Sequence, residues 1–203
     1  FVAPKVEIKI LDELKLTLTG GVDRQNAQRG FYLPRVVENV QYPRGSAQKS
    51  TNNIGNYTSE SYLTYDKAIG DLSVNVVAGG GLYKTMTDFV DITAVDFFTD
   101  VFEDNNIGAA TAKELSSFGS FKSERNRQSL FSRINLGFKD KYILTLTGRY
   151  DGDSEFAANK KFGFFPGASV AWKISSEDFL ADADVLTSLK LRGGVGRAGK
   201  PMN

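Results

Sequence analysis

Neither cysteine nor histidine occurs among the 203 residues. Without cysteine, the chain forms no disulfide, thiolate nucleophile, Cys-ligated zinc site or iron–sulfur cluster. Without histidine, the Ser-His-Asp relay and most zinc and iron sites are excluded as well. Only carboxylate or lysine chemistry is left, and nothing in the sequence sets two carboxylates at a defined separation. We therefore predict no enzymatic activity and no cofactor.

A charge excess and a long apolar run are also missing. Lys and Arg number 25 against 24 Asp and Glu, a net charge of +1, so no basic footprint for nucleic acid is present. No apolar stretch approaches the roughly 20 residues of a membrane helix. The first residues lack the charged region and apolar core of a signal peptide.

The dominant pattern is a two-residue alternation of apolar and polar side chains, which is typical of a strand with two different faces. In residues 142–150, tyrosine and leucine occupy one parity against threonine and arginine. We predict about eight such strands, most of them about nine to eleven residues long, the length that crosses a bilayer at a tilt. They cover 6–10, 14–22, 57–65, 72–82, 130–138, 142–150, 164–174 and 189–195.

The predicted connections alternate between short and long. The short ones are 11–13, 66–71 and 139–141, and the long ones are 23–56, 83–128 and 152–163. A link of middle length, 175–188, is predicted to hold a helical turn capped by Ser176. Short periplasmic turns and long outer loops are typical of bacterial outer-membrane barrels. Aromatic residues at the strand ends suit the girdle at the membrane interface: Phe138, Tyr142, Tyr150, Phe164 and Trp172.

A soluble β-sandwich is the alternative fold, because its strands alternate in the same way. Its strands are usually shorter, about five to six residues, and its connections need not alternate in length. The pattern therefore favours an all-β, antiparallel transmembrane barrel segment with long extracellular loops.

Two groups of loop residues are candidate sites. The predicted loops hold aromatic side chains that either stack on sugars or anchor a partner, or else pack the loops together: Phe31, Tyr32, Phe97, Phe98 and Phe102. Asp151, Asp153 and Glu155 place oxygen atoms at alternate positions, as the start of a calcium loop does. The later ligands of such a loop are missing, so we predict no metal site and keep calcium as the lesser alternative to a solvated hairpin loop.

The second half of the chain carries five linked motifs in a fixed order. They read FSRINLGFKDKY at 131–142, LTLTGRYDGDSEF at 144–156, FGFFPGASVAWKI at 162–174, EDF at 177–179 and LKLRGGVGRAG at 189–199. Together they resemble the barrel of the SusC/RagA-type TonB-linked outer-membrane transporters of Bacteroidetes. The resemblance is dense over 129–200, whereas 4–82 match by strand rhythm alone.

This resemblance implies a 22-stranded barrel that is plugged by a separate N-terminal domain. It also implies import of glycans or peptides driven by TonB, a SusD-like surface lipoprotein as outer lid, and a place in the bacterial outer membrane. We expect residues 1–203 to be part of one such barrel domain, with the plug, the TonB-contacting region and the signal peptide outside this chain.

In a spanning strand one parity faces lipid and the other faces the barrel interior. We predict that the apolar parity meets lipid through Val74, Leu136, Leu144, Leu146 and Val170. We predict that the polar parity meets the lumen or plug through Arg133, Asn135, Thr145, Thr147, Arg149, Lys173 and Arg192.

Two other functions stay open at this point. A soluble or surface-exposed β-domain would bind carbohydrate through its loop aromatics, and a carboxylate hydrolase would use paired acids. Detergent-dependent solubility distinguishes the membrane transporter from both.

Overall fold

The computed structural model describes residues 1–37, 44–112, 117–156, 161–180 and 188–199. These residues form eight antiparallel strands in one sheet, paired in the order in which they follow along the chain. Within the described ranges, no helix has the length and apolar character needed to cross a membrane. The strands are β1 (Lys5–Lys9), β2 (Leu14–Leu33), β3 (Ser46–Ile69), β4 (Leu72–Val95), β5 (Ser117–Phe138), β6 (Tyr142–Asp153), β7 (Phe162–Lys173) and β8 (Lys190–Gly196).

Tight turns join the middle strands at one end of the sheet. Between β5 and β6, Lys139 and Asp140 both have positive φ, 51° and 53°, and the Lys141 N–H donates to the Phe138 carbonyl at 3.0 Å. Two successive positive φ angles are the mark of a type I′ turn, whose twist matches that of the flanking strands. Gly70, with φ 59°, is the one residue of positive φ in the turn between β3 and β4. The short turn predicted at 139–141 is confirmed, whereas the turn predicted at 66–71 is shorter than expected, because 66–69 belong to β3 and only 70–71 connect the two strands.

Four strands are much longer than the sequence predicts. β2 has 20 residues, β3 and β4 have 24 each, and β5 has 22. The prediction that 23–56 and 83–128 are wholly loops is therefore wrong, because most of both ranges is strand. Outside hydrocarbon neither face of a strand has to match lipid, so the backbone stays paired while the apolar alternation disappears. The two-residue alternation thus detects the lipid-facing part of a strand and misses its continuation.

The link between β7 and β8 breaks the predicted alternation of short and long connections. It spans 174–189 and is longer than the β6–β7 link, 154–161. Its described part holds two short 3₁₀ turns, Ile174–Ser176 and Asp178–Leu180. Ser176 is the last residue of the first turn, so the prediction that it caps a helix is wrong.

The chain divides into two compact units. The loop unit contains Val22–Asn56 and Thr85–Glu124 together with Phe1, and the wall unit contains Val2–Gly21, Tyr57–Lys84 and Arg125–Asn203.

The loop unit has a small buried core of its own. Phe97 is 2% exposed and packs with three buried alanines, Ala47, Ala94 and Ala110. The Tyr32 ring meets the Phe97 ring edge-on, with ring centroids 5.8 Å apart. A buried phenylalanine among alanines folds the link after β4 onto the strands of this unit.

A charged network holds the start of the same link. Asp96 adopts a positive φ of 70°, and its carboxylate accepts hydrogen bonds from the Arg44 guanidinium and the Thr111 hydroxyl, the latter at 2.8 Å. These two donors, Arg44 first, hold the pKa of Asp96 below its usual range. Because a positive φ is unfavourable for a residue with a Cβ, the network supports a bend that the backbone alone disfavours.

In the wall unit, the glycine run 79–81 marks a close approach of two strands. A Cβ on Gly79 would overlap the carbonyl oxygen of Ser61 and the Cα of Tyr62. Glycine within a strand often marks such an approach. The Lys84-Thr85 pair that follows the run comes after Tyr83 rather than after a glycine, so the segment does not match a phosphate loop.

Candidate functional site

Strand register gives the wall unit two chemically distinct faces. On one face Leu144 lies opposite Leu136 on β5 and Val170 on β7. On the other face Thr145 lies opposite Asn135 and Ser169. Because side chains alternate along a strand, the predicted lipid-facing and interior-facing residues of β5 to β7 separate onto opposite faces.

The apolar face is largely uncovered. Leu130 is 64% exposed, Val170 59%, Leu191 62% and Val195 79%. A water-soluble sandwich packs such a face against a second sheet, whereas the described residues form one sheet. An apolar sheet face of this kind matches hydrocarbon.

Aromatic rings lie at both ends of the apolar face. At one end, here called the inner end, the rings of Tyr142 and Trp172 stack with centroids 6.4 Å apart. At the other, outer end, the rings of Tyr150 and Phe162 stack at 5.2 Å. From Tyr142 to Tyr150 a strand rises about 27 Å at ~3.4 Å per residue. A tilted strand of that length fits the apolar band of about 25 Å between two aromatic girdles.

The polar face carries all seven residues predicted to meet the lumen or plug. Asn135 links two strands, since its Nδ2 donates to Asn75 at 3.1 Å and its Oδ1 accepts from the Thr145 hydroxyl at 2.8 Å. The pairings that place the other residues on this face are Arg133 with Thr147, Phe131 with Arg149, Ala171 with Arg192 and Lys173 with Lys190. Contact of these residues with a lumen or a plug stays a prediction.

Glu177, in the β7–β8 link, forms hydrogen bonds with the aromatic residues at the inner end. Its carboxylate accepts hydrogen bonds from the Tyr142 hydroxyl at 2.7 Å, the Trp172 indole N–H at 2.8 Å and the Lys141 ammonium at 3.0 Å. These three donors, in that order, lower the pKa of Glu177 to about 2. One carboxylate therefore orients both girdle rings and the turn beside them.

Stability is expected to depend on pH through Glu177. Because its folded-state pKa lies below the unfolded value of 4.5, the contribution is complete above pH 4.5 and is lost as pH falls toward 2. Unfolding midpoints of the full-length protein should fall less between pH 6 and pH 3 in Glu177→Gln than in wild type. Asp12→Asn, at a carboxylate that is 90% exposed, is the control and should follow wild type. A Glu177→Gln profile equal to wild type contradicts this assignment.

The acids considered for calcium are paired with arginines. Arg149 Nε lies 2.8 and 2.7 Å from the two carboxylate oxygens of Asp151. Arg125 Nε donates to Asp153 at 3.1 Å, and its Nη1 lies 3.0 Å from Glu155. In the described part of the chain, no group of three acidic side chains is gathered as a metal site. The pairing favours the hairpin interpretation over calcium.

A group of arginines at the outer end of the polar face was not among the predicted site residues. Arg125 and Arg127 lie on β5 upstream of the predicted strand start, on the same parity as Arg133. Together with Tyr83 and Arg197 they line a cavity of about 690 Å³. Arg125 and Arg127 lie at every second position counted back from Arg133, so the alternation of Arg133 would have indicated them. Counting back in this way requires knowing that β5 begins well before residue 130.

The five predicted loop aromatics divide between packing and exposure. Phe97 is buried in the loop-unit core, and the half-buried Tyr32 donates its hydroxyl to Asp100 at 2.5 Å. Phe31, Phe98 and Phe102 are 58%, 63% and 44% exposed. Phe31 and Tyr32 lie on β2 rather than in a loop. We therefore no longer propose substrate contact through Phe97, because its ring has no free surface.

Asp100 organises the chain around Tyr32. It accepts from the Tyr32 hydroxyl and from the Arg35 backbone N–H at 3.2 Å, and these donors lower the pKa of the Asp100 carboxyl. The segment around Tyr32 is thus held by hydrogen bonds as well as by the buried core of the loop unit.

One antiparallel sheet with an apolar face between aromatic rows and a polar opposite face defines the wall of a membrane-spanning β-barrel. Comparison with known protein families identifies the family to which this barrel wall belongs. The family model described as "TonB dependent receptor-like, beta-barrel" matches residues 9–203. The chain belongs to this family of outer-membrane proteins, and the predicted fold class and family resemblance are confirmed.

Individual relatives agree with the family model. TonB-dependent receptor P3 of Formosa agariphila is 32% identical over 95% of this chain and 19% of its own length. TonB-dependent receptor SusC of Bacteroides thetaiotaomicron is 30% identical over 71% of this chain and 14% of its own length. Both organisms are Bacteroidetes. The chain spans about a fifth or less of the length of these curated relatives.

The fold also matches a solved structure. The RagAB peptide transporter superposes with a TM-score of 0.84 at 20% identity, over 96% of this chain and 22% of that chain. At that identity the match supports the shared barrel fold alone.

Proposed function

We propose that these residues form part of the barrel wall of an outer-membrane importer that takes up a glycan or peptide nutrient in a TonB-dependent manner. The observation that carries the proposal is the two-faced sheet, with an apolar face that suits lipid and a polar face that suits a wet interior or a plug. Membership of the TonB-dependent receptor family supports the energy source. Catalytic residues are not part of this proposal.

The same proposal covers the other parts of the transport system. Residues 1–203 are an internal part of one barrel domain, and the plug and the TonB-contacting region belong to other parts of a longer protein. A SusD-like surface lipoprotein covers the outer mouth, as the resemblance of the motifs at 131–199 implies. The long strands β2 to β5 and their links then contribute to the extracellular side.

The alternative of a soluble or surface-exposed β-domain that binds carbohydrate fits the structure less well. Three aromatic side chains of the loop unit are exposed enough to stack on a sugar. In a soluble domain, however, the exposed apolar face of the wall unit would contact water, which costs a free energy of about 25 cal/mol per Å² of apolar surface. Membership of the TonB-dependent receptor family also favours the importer.

Import is tested with the full-length protein in its own host. Deletion of its gene should abolish uptake of one radiolabelled nutrient pool, glycan or peptide, and depletion of TonB in the wild-type strain should have the same effect. Restoration of the full-length gene should restore uptake. Uptake that continues at the wild-type rate after TonB depletion, or a protein that washes from membranes without detergent, would contradict the proposal.

A further inference from the structure

The cavity on the polar face of the wall unit has a charge imbalance in its lining. Its volume is about 690 Å³, and it lies beside the β5, β6 and β7 pairings at the outer end of the face. Four arginines line it, Arg125, Arg127, Arg149 and Arg197, against three acids, Asp151, Asp153 and Glu155.

Two of the arginines form ion pairs with all three acids, and the four arginines leave the lining with a net charge of +1. Arg125 binds Asp153, whose side chain is 6% exposed, and also lies 3.0 Å from Glu155. Arg149 binds Asp151. The carboxylates of this cavity are therefore already occupied by hydrogen bonds from within the chain.

The other two guanidinium groups form no ion pair with a carboxylate among the described residues, although Arg127 lies opposite Asp153 in the β5–β6 register and interacts with it electrostatically. Arg127 lies over the Tyr83 ring, with its guanidinium carbon 5.5 Å from the ring centroid. Arg197 contributes its backbone N–H to the Pro166 carbonyl at 2.9 Å, and both arginine side chains are exposed. A guanidinium offers a planar fork of donors that suits carboxylate and other oxyanions.

Aromatic rings border the same cavity. Tyr83 and Phe165 are half-buried, and the Phe165 ring lies so close to Gly163 and Gly199 that a Cβ on either glycine would overlap it. The ring surface that Arg127 and these glycines leave uncovered is apolar and complements the apolar face of a sugar ring.

A peptide of the same charge fits this cavity less well. A peptide brings backbone N–H and C=O groups that need partners. Both edges of β6, the strand at the centre of the cavity wall, are paired with β5 and β7, so β6 has no open edge to receive an extended peptide.

We propose that this cavity binds an anionic oligosaccharide, with a carboxylate or sulfate group held by Arg127 and Arg197 and a sugar ring against Tyr83 and Phe165. This inference rests on the proposed import function and specifies its substrate class. The Arg125 and Arg149 ion pairs position the wall of the site without contacting the anion.

The experiment uses a strain lacking the gene and complemented with the full-length protein. Three radiolabelled pools are supplied: neutral oligosaccharides, oligosaccharides carrying uronate or sulfate groups, and acidic peptides. Protein-dependent uptake is expected for the anionic oligosaccharides. Arg127→Gln combined with Arg197→Gln should lower that uptake by about tenfold or more, because charge-assisted hydrogen bonds are lost. Arg29→Gln, an exposed arginine of β2 outside the cavity, should leave it unchanged.

A second measurement does not depend on the variants. Excess unlabelled anionic oligosaccharide should compete for uptake in wild type, and neutral oligosaccharide should not. Protein-dependent uptake of the neutral or peptide pool alone, or a double variant that assembles and transports at the wild-type rate, overturns the substrate assignment and leaves import standing. If no pool requires the protein, the import proposal itself fails.

Discussion

Leu146→Arg is expected to remove most of the correctly assembled protein from the outer membrane, whereas Thr147→Arg should leave assembly near the wild-type level. The two residues are neighbours on β6 and lie on opposite faces of the sheet. Leu146 pairs with Ile134 and Ala168 on the apolar face, midway between the aromatic residues Tyr142 and Tyr150. An arginine on the lipid face costs about 2–4 kcal/mol at mid-depth, which is a large share of the stability of a folded domain.

Thr147 is a matched control because the same arginine is introduced one position away. Its hydroxyl makes a 3.4 Å contact with the Gly167 carbonyl, so little is lost when it is replaced. The new arginine lies opposite Arg133, and such a like-charge pair costs at most about 1 kcal/mol, less than an arginine on the lipid face. Assembly is measured in outer-membrane fractions of the full-length protein as the heat-modifiable, protease-resistant form. Equal assembly of both variants would show that the two faces do not meet different solvents, and the barrel-wall assignment would fail.

Phe97→Ala is expected to unfold the small core of the loop unit, whereas Phe98→Ala should have little effect. Phe97 is 2% exposed and Phe98 63% exposed, although they are adjacent in the link after β4. Replacing a buried phenylalanine by alanine costs about 3–5 kcal/mol, and an exposed substitution usually stays within about 0.5 kcal/mol. The bend at Asp96 then has too few contacts to hold it.

Local opening of this core is measured by trypsin cleavage of the assembled protein on intact cells. Cleavage after Arg35 and Arg44, which the buried core and the Asp96 and Asp100 networks hold in place, should accelerate at least about tenfold in Phe97→Ala, since cleavage follows the population of the open form. Phe98→Ala should be cleaved like wild type. If both variants resist trypsin equally, the core around Phe97 does not hold these segments.

The strand faces were predictable because alternation is a local property of the sequence. Leu144 and Thr145 must point to opposite sides wherever the strand lies, so the sequence of 142–150 is sufficient to assign their parity. The type I′ turn at Lys139 and Asp140 is equally local. The ends of the long strands were not predictable in the same way, because β3 begins in the stretch 46–56, which is mostly polar and lacks the apolar alternation.

The arginine cavity lay beyond sequence reasoning for a different reason. Arg125 and Asp153 are 28 residues apart in the chain, and only the β5–β6 register brings them together. The sequence showed Asp153 as an acid near a glycine and left Arg125 in a predicted loop. Likewise, no pattern in the sequence of 174–178 predicts that Glu177 accepts hydrogen bonds from two aromatic side chains on different strands.

The sequence by itself determined that this chain forms two-faced strands joined by tight turns, and its linked motifs determined the family. The tertiary structure decided how far the strands extend, which loop aromatic is buried, and which arginines of the cavity form ion pairs. The reason is the sequence separation of the residues involved. Side-chain parity depends on neighbouring residues, whereas burial and charge pairing depend on the register between strands that are distant along the chain.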